Sequence, residues 1–94
     1  MKMLEKQIEA ALVARVKALN GTAEKFTSPN RRSVPDRLVT LPGGRVIFCE
    51  VKRPGGKPTD AQLRDHLRRR ILGCDIRVID SLEQIAIFPE EETK

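Results

Sequence analysis

The 94-residue sequence has no tryptophan, no tyrosine, one histidine and two cysteines. Without Trp or Tyr, bases cannot stack on rows of aromatic platforms. Any nucleic acid would have to be held through its backbone and shape. A single histidine, His66, cannot by itself assemble an HNH or zinc-hydrolase centre. Cys49 and Cys74 are too few and too far apart for a zinc knuckle. Their apolar neighbours suggest buried thiols in a reducing compartment. No apolar run approaches the ~20 residues of a membrane span. Met1-Lys2-Met3-Leu4-Glu5 enters a charged helical pattern without a signal-peptide apolar stretch. These absences point to a cytoplasmic protein with no membrane partner. Gly55-Gly56-Lys57-Pro58-Thr59 lacks the first glycine of a P-loop and has a proline after the lysine. There is also no repeat, no low-complexity tract and no linker, so one domain over residues 1–94 is expected.

What is present is positive charge, +5 overall with a pI near 9.7. Residues 1–35 carry 7 basic and 3 acidic side chains, and residues 36–74 carry 9 and 4. Residues 75–94 reverse this, with 2 and 6. A basic body with an acidic end suits a polyanionic partner, nucleic acid above all.

Periodicity predicts a helix from Lys2 to Asn20, with Leu4, Ile8, Leu12, Val16 and Leu19 on one face. Gly21 is expected in the left-handed position past its end. Thr22 to Thr27 reads as a weak strand. Arg37–Leu41 and Arg45–Lys52 read as a hairpin closed by Pro42-Gly43-Gly44. Val46-Ile47-Phe48-Cys49 is apolar on both faces, which predicts a central strand covered on both sides. A second helix is expected from Thr59 to Leu72, with a Thr59–Gln62 capping box and a buried stripe of Leu63, Leu67 and Ile71. Asp75–Ile79 reads as a strand. A short helix capped by Asp80 or Ser81, or else a strand over Ile85–Phe88, follows. The acidic tail from Pro89 to Lys94 is expected to fray. The fold class is α/β, a small mixed sheet flanked by helices in the order αβββαβ.

Glu50-Val51-Lys52 places an acid and an ammonium group on the same face at the end of an apolar strand. Charges there are costly unless they are paired or bind something. If Leu41 pairs with Arg45, counting outward along the hairpin sets Asp36 opposite Glu50. Two carboxylates and a lysine then converge. Hard oxygen donors beside water suit Mg²⁺ or Mn²⁺. Such an ion with a nearby lysine is the outline of a phosphodiester-hydrolysing site. A plain cross-strand ion pair is the simpler reading of Glu-x-Lys alone.

The ordered set Val34-Pro35-Asp36-Arg37-Leu38, Gly43-Gly44, Phe48-Cys49-Glu50-Val51-Lys52-Arg53-Pro54-Gly55-Gly56 and Gln62 resembles the VRR-NUC branch of the PD-(D/E)xK nucleases. The resemblance covers nearly the whole chain. Ser33 departs from it, standing where the family often has glycine, which bears on the loop and not on the metal site. The resemblance implies a restriction-endonuclease-like fold and divalent-metal-dependent DNA cleavage. For stand-alone bacterial and phage members it implies a homodimer acting on branched DNA such as Holliday junctions. The location would then be the bacterial cytoplasm, or the host's for a phage protein. By position, Asp36 and Glu50 would be metal ligands, with the Val51 carbonyl a third, and Lys52 would be the catalytic lysine. Gln62 would orient water or phosphate. Glu5 would be the first-helix acid, with Glu9 as second choice.

Gln62 is equally explained as a capping residue, and Glu5 as a solvated helix charge. Arg31, Arg32, Arg53, Lys57, Arg64 and Arg68 are candidates for phosphate contacts. His66, one helical turn from Gln62, is expected at the surface or facing DNA. The competing functions are a non-catalytic nucleic-acid-binding module on the same fold and a structural subunit whose basic face is incidental. A homodimer would cover apolar surface that so small a core leaves exposed, with the last strand or last helix as the expected contact.

Overall fold

The computed structural model describes residues 3–91. Its elements run α1 (Glu5–Ala18), β1 (Thr22–Lys25), β2 (Arg37–Leu41), β3 (Arg45–Val51), α2 (Asp60–Ile71), β4 (Ile76–Ile79) and α3 (Leu82–Ile87). The four strands form one sheet in the order β1-β2-β3-β4. The first two pairings are antiparallel and β3–β4 is parallel, with α2 as the crossover. This is the expected mixed α/β architecture, and β3 is central in it.

The α1 stripe behaves as its spacing requires from Ile8 onward, whereas Leu4, expected on the same face, is the N-cap and is exposed. Ile8, Leu12 and Val16 are fully buried. They meet Val39 and Leu41 of β2, Ile47, Cys49 and Val51 of β3, and Ile85 and Phe88 at the chain's end. Alternate residues of β3 therefore form one core face. Burial pushes the Cys49 thiol up to about 12, so it is an inert core group. Cys74, expected to be buried, is half-buried. The left-handed residue after α1 is Asn20, at φ 64°, not Gly21. Gly21 serves a different need. A Cβ there would lie 2.6 Å from the Thr40 carbonyl oxygen and 2.8 Å from Leu41 Cδ2. Its missing side chain lets the chain leave α1 and enter β1 tight against β2. The hairpin turn uses Gly43 and Gly44 at φ 88° and 81°, where L-residues are strained. The terminal element is a helix, with Ser81 as its cap accepting from the Gln84 N–H at 3.2 Å.

Two expectations are corrected here. Leu63, Leu67 and Ile71 do not form the buried stripe of α2. They are 48, 59 and 75% exposed, while Asp65 and His66 are the buried residues. The helix lies over the face of β3 that carries Glu50, so its inner side is polar. The chain from Pro89 to Glu91 is also held in place rather than frayed. Arg77 donates to the Pro89 carbonyl at 2.7 Å and pairs with Asp75 and Glu91 at 2.8 and 2.6 Å. The remainder of the expected acidic tail lies outside the described residues.

Candidate active site

The hairpin register is the one counted from its turn, with Leu41 opposite Arg45 and Arg37 opposite Cys49. One further step sets Asp36 beside Glu50. Asp36 is fixed there because its Oδ2 accepts from the Val51 N–H at 2.8 Å. Glu50 is on the β3 face opposite the apolar core and is only 1% exposed. Around its carboxylate, Oε2 accepts from Gln62 Nε2 at 3.1 Å and lies 3.7 Å from Lys52 Nζ. Oε1 faces His66 Nε2 at 3.5 Å. The structure thus brings Asp36, Glu50, Lys52 and Gln62 to one place.

The electrostatics are set by crowding of like charge. Burial pushes the Glu50 carboxyl up to about 8, and the Asp36 carboxylate within hydrogen-bonding reach pushes in the same direction. Lys52 partly offsets this, and Glu5 adds to the rise. Two carboxylates this close need either a shared proton or a cation between them. That is the chemistry of an oxygen-donor site for a small divalent ion, which binds one or two carboxylates and keeps several waters. No group of three or more His, Cys, Asp or Glu side chains suited to a metal occurs among the described residues. The donor set on offer is the carboxylate pair and backbone.

Gln62 closes its capping box and also reaches the Glu50 carboxylate. Its side-chain oxygen accepts from the Thr59 N–H at 2.8 Å, closing the capping box, while its amide nitrogen donates to Glu50. The box therefore aims the amide at the carboxylate. Glu5 is exposed and close enough for its charge to act on Glu50. Glu9 is committed elsewhere. It pairs with Arg37 at 2.8 Å, and Arg37 also donates to the Ala23 carbonyl. Arg31, Arg32, Arg64 and Arg68 line one hollow, whereas Arg53 and Lys57 are exposed on the β3–α2 connection.

His66 is fully buried, not at the surface as expected, and neither ring nitrogen has a hydrogen-bond partner. Burial first, then the Arg70 charge, lowers its pKa and favours the neutral ring. Nor was Asp65 expected to be buried. Asp65 holds Arg68 and Arg69 at 2.6 and 2.7 Å. Arg69 in turn lies over the Phe26 and Phe48 rings, 5.3 and 5.1 Å from their centroids. A signal was present in the sequence. Gln62, His66 and Arg69 recur at steps of four and three on one helical face, and a polar face can be the inner one.

Comparison with known proteins decides the family. No protein-family model matches the chain. "Putative nuclease p44" of Acyrthosiphon pisum secondary endosymbiont phage 1 is 52% identical over 85 residues, covering 90% of this chain and 91% of that protein. A solved structure described as a VRR-NUC domain superposes with a TM-score of 0.82 at 35% identity, over 87% of this chain and 89% of its own. The chain belongs to the VRR-NUC nuclease family. In VRR-NUC terms, the converging Asp36, Glu50, Lys52 and Gln62 are the residues that carried the resemblance in the sequence.

Proposed function

We propose that this VRR-NUC protein is a Mg²⁺- or Mn²⁺-dependent DNA endonuclease that hydrolyses phosphodiester bonds, selective for branched DNA such as Holliday junctions and acting as a homodimer. The observation that carries the reading is the Asp36–Glu50 carboxylate pair with Lys52 Nζ 3.7 Å from Glu50 Oε2. Asp36, Glu50 and the Val51 carbonyl would hold the ion. When bound, the ion supplies an acidified water and neutralises charge on the phosphate.

The chain's own groups have separable tasks. Val51 N–H holds one Asp36 oxygen, which leaves the other free to bind. Lys52 places a positive charge where negative charge grows on the phosphoryl oxygens, and can guide the attacking water. Gln62 holds the Glu50 carboxylate through its amide. Glu5, with Glu9 tied to Arg37, is the first-helix acid facing the site. Junction preference follows from the family resemblance. A second copy has an apolar surface to cover in Leu63, Leu67, Ile71 and Leu72, all exposed along α2. This is a different element from the last strand or last helix expected from the sequence. A stripe at four-residue steps matches itself about a two-fold axis.

The test is cleavage of labelled linear, single-stranded, flap and four-way-junction DNA with Mg²⁺, Mn²⁺ or EDTA, beside Lys52→Ala. Metal-dependent cutting that is lost in Lys52→Ala, and is strongest on the junction, is the expected result. Binding without cutting in either metal would leave the non-catalytic nucleic-acid-binding module.

A further inference from the structure

The arginines that the sequence scattered over two segments share one concave feature. It measures about 240 Å³ and is lined by Arg31, Arg32 and Ser33 from the loop before β2 and by Arg64, Asp65 and Arg68 from α2. Arg31, Arg32 and Arg64 have no acidic partner among the described residues. The one acid in the wall, Asp65, is 3% exposed at its side chain and divides its two oxygens between Arg68 and Arg69. Its single negative charge is therefore already shared by two guanidinium groups. Three further guanidinium groups then face a hollow with nothing in its walls to neutralise them.

The wall is also built to keep its shape. Asp65 is anchored from below through Arg69, which is seated on two phenylalanine rings. Asp65 then orients Arg68 at the rim. An anion entering the hollow meets one guanidinium group, Arg68, already oriented, while the exposed Arg31, Arg32 and Arg64 supply the unneutralised charge. Planar guanidinium forks match the geometry of phosphate oxygens better than ammonium groups do. Both walls are close in sequence to residues of the carboxylate centre. Ser33 is three residues before Asp36, and Arg64 is two residues after Gln62.

We infer that this hollow is a phosphate-binding subsite, separate from the Asp36–Glu50 centre, that takes one non-scissile backbone phosphate of the DNA. The word non-scissile rests on the nuclease reading above. Binding itself does not, because it requires neither the carboxylates nor a metal.

The experiment is fluorescence-anisotropy binding of labelled DNA in EDTA over a range of salt. It compares the wild type with Arg64→Ala, the Arg31→Ala/Arg32→Ala double variant, and Arg45→Ala as a charge control on the distant hairpin. Each fold is checked by circular dichroism. Arg64→Ala should weaken binding about tenfold and lower the salt slope by about one, while Arg45→Ala should change both far less. Arg64→Lys should recover only part of the loss, because the charge returns without the fork. Equal effects of Arg64→Ala and Arg45→Ala would overturn the subsite and leave only diffuse attraction. A duplex with a 5′-phosphate compared with a 5′-hydroxyl separates the sources. Equal affinity assigns an internal phosphodiester, and a preference assigns a terminal phosphate. If DNA is never cut in Mg²⁺ or Mn²⁺ yet binding still depends on Arg64, the nuclease reading fails and the subsite stands.

Discussion

At the scale of single residues, the site works by holding one carboxyl group in a place that disfavours its charge. Glu50 has a folded pKa of about 8 against an ordinary value of 4.5. The folded state therefore retains a proton that the unfolded chain gives up between those two values. Stability of the metal-free protein should fall as pH rises from the ordinary histidine value of 6.5 to about 8 and level off above it; below 6.5 the lowered pKa of His66 acts in the opposite direction. Thermal unfolding from pH 4 to 9 in EDTA measures the slope, and Glu50→Gln should flatten it. Added Mg²⁺ should restore stability at pH 8 in the wild type and not in Glu50→Gln, since ligand that binds only the folded state stabilises it by mass action.

Gln62 allows its two roles to be separated. Gln62→Glu preserves the capping box, since either side chain can close it. It replaces the amide donor to Glu50 with a third acid. Cleavage should drop at least ~100-fold while the urea midpoint moves by less than that of Thr59→Ala, which loses about 1 kcal/mol of cap. Unchanged cleavage in Gln62→Glu would reduce Gln62 to a capping residue.

At the scale of elements, α1 and α2 follow opposite rules. The buried stripe of α1 is apolar and its spacing reveals it. The buried side of α2 is Asp65 and His66, with leucines outside. Leu67→Lys should therefore leave the monomer fold intact and shift the sedimentation profile from dimer to monomer. Loss of folding in that variant would instead show that the stripe is packed within the monomer. The α1–β2 junction should be far less tolerant. Gly21→Ala pushes a methyl group against the Thr40 carbonyl and should cost about 1–3 kcal/mol, read as a lower urea midpoint with unchanged slope.

At the scale of the whole molecule, charge and sheet topology act together. The hairpin sets Asp36 beside Glu50 and Lys52 at one end of β3, in a chain whose positive excess lies in its first 74 residues. DNA binding by the wild type should weaken steeply between about 50 and 200 mM salt, as expected when phosphate contacts release counterions. A flat salt response in a gel-shift titration would point instead to the structural-subunit reading.

The succession of elements, the hairpin register and the Asp36–Glu50 pairing were legible because they depend on local chemistry: glycines at a turn, alternation along a strand and counting outward from the loop. The apolar face of α1 was legible for the same reason, since the strands and final helix it meets present apolar residues to it. His66, Asp65 and the inward side of α2 were not legible. A helix buries whichever face its neighbour can satisfy, and β3 presents Glu50, a carboxylate, to α2. Hydrophobic spacing alone selected the leucine side. The arginines had the same limit. The sequence by itself determined that the chain is rich in them, but only packing of the loop before β2 against α2 decided that four line one hollow, because convergence of residues from separate segments is a property of the tertiary structure.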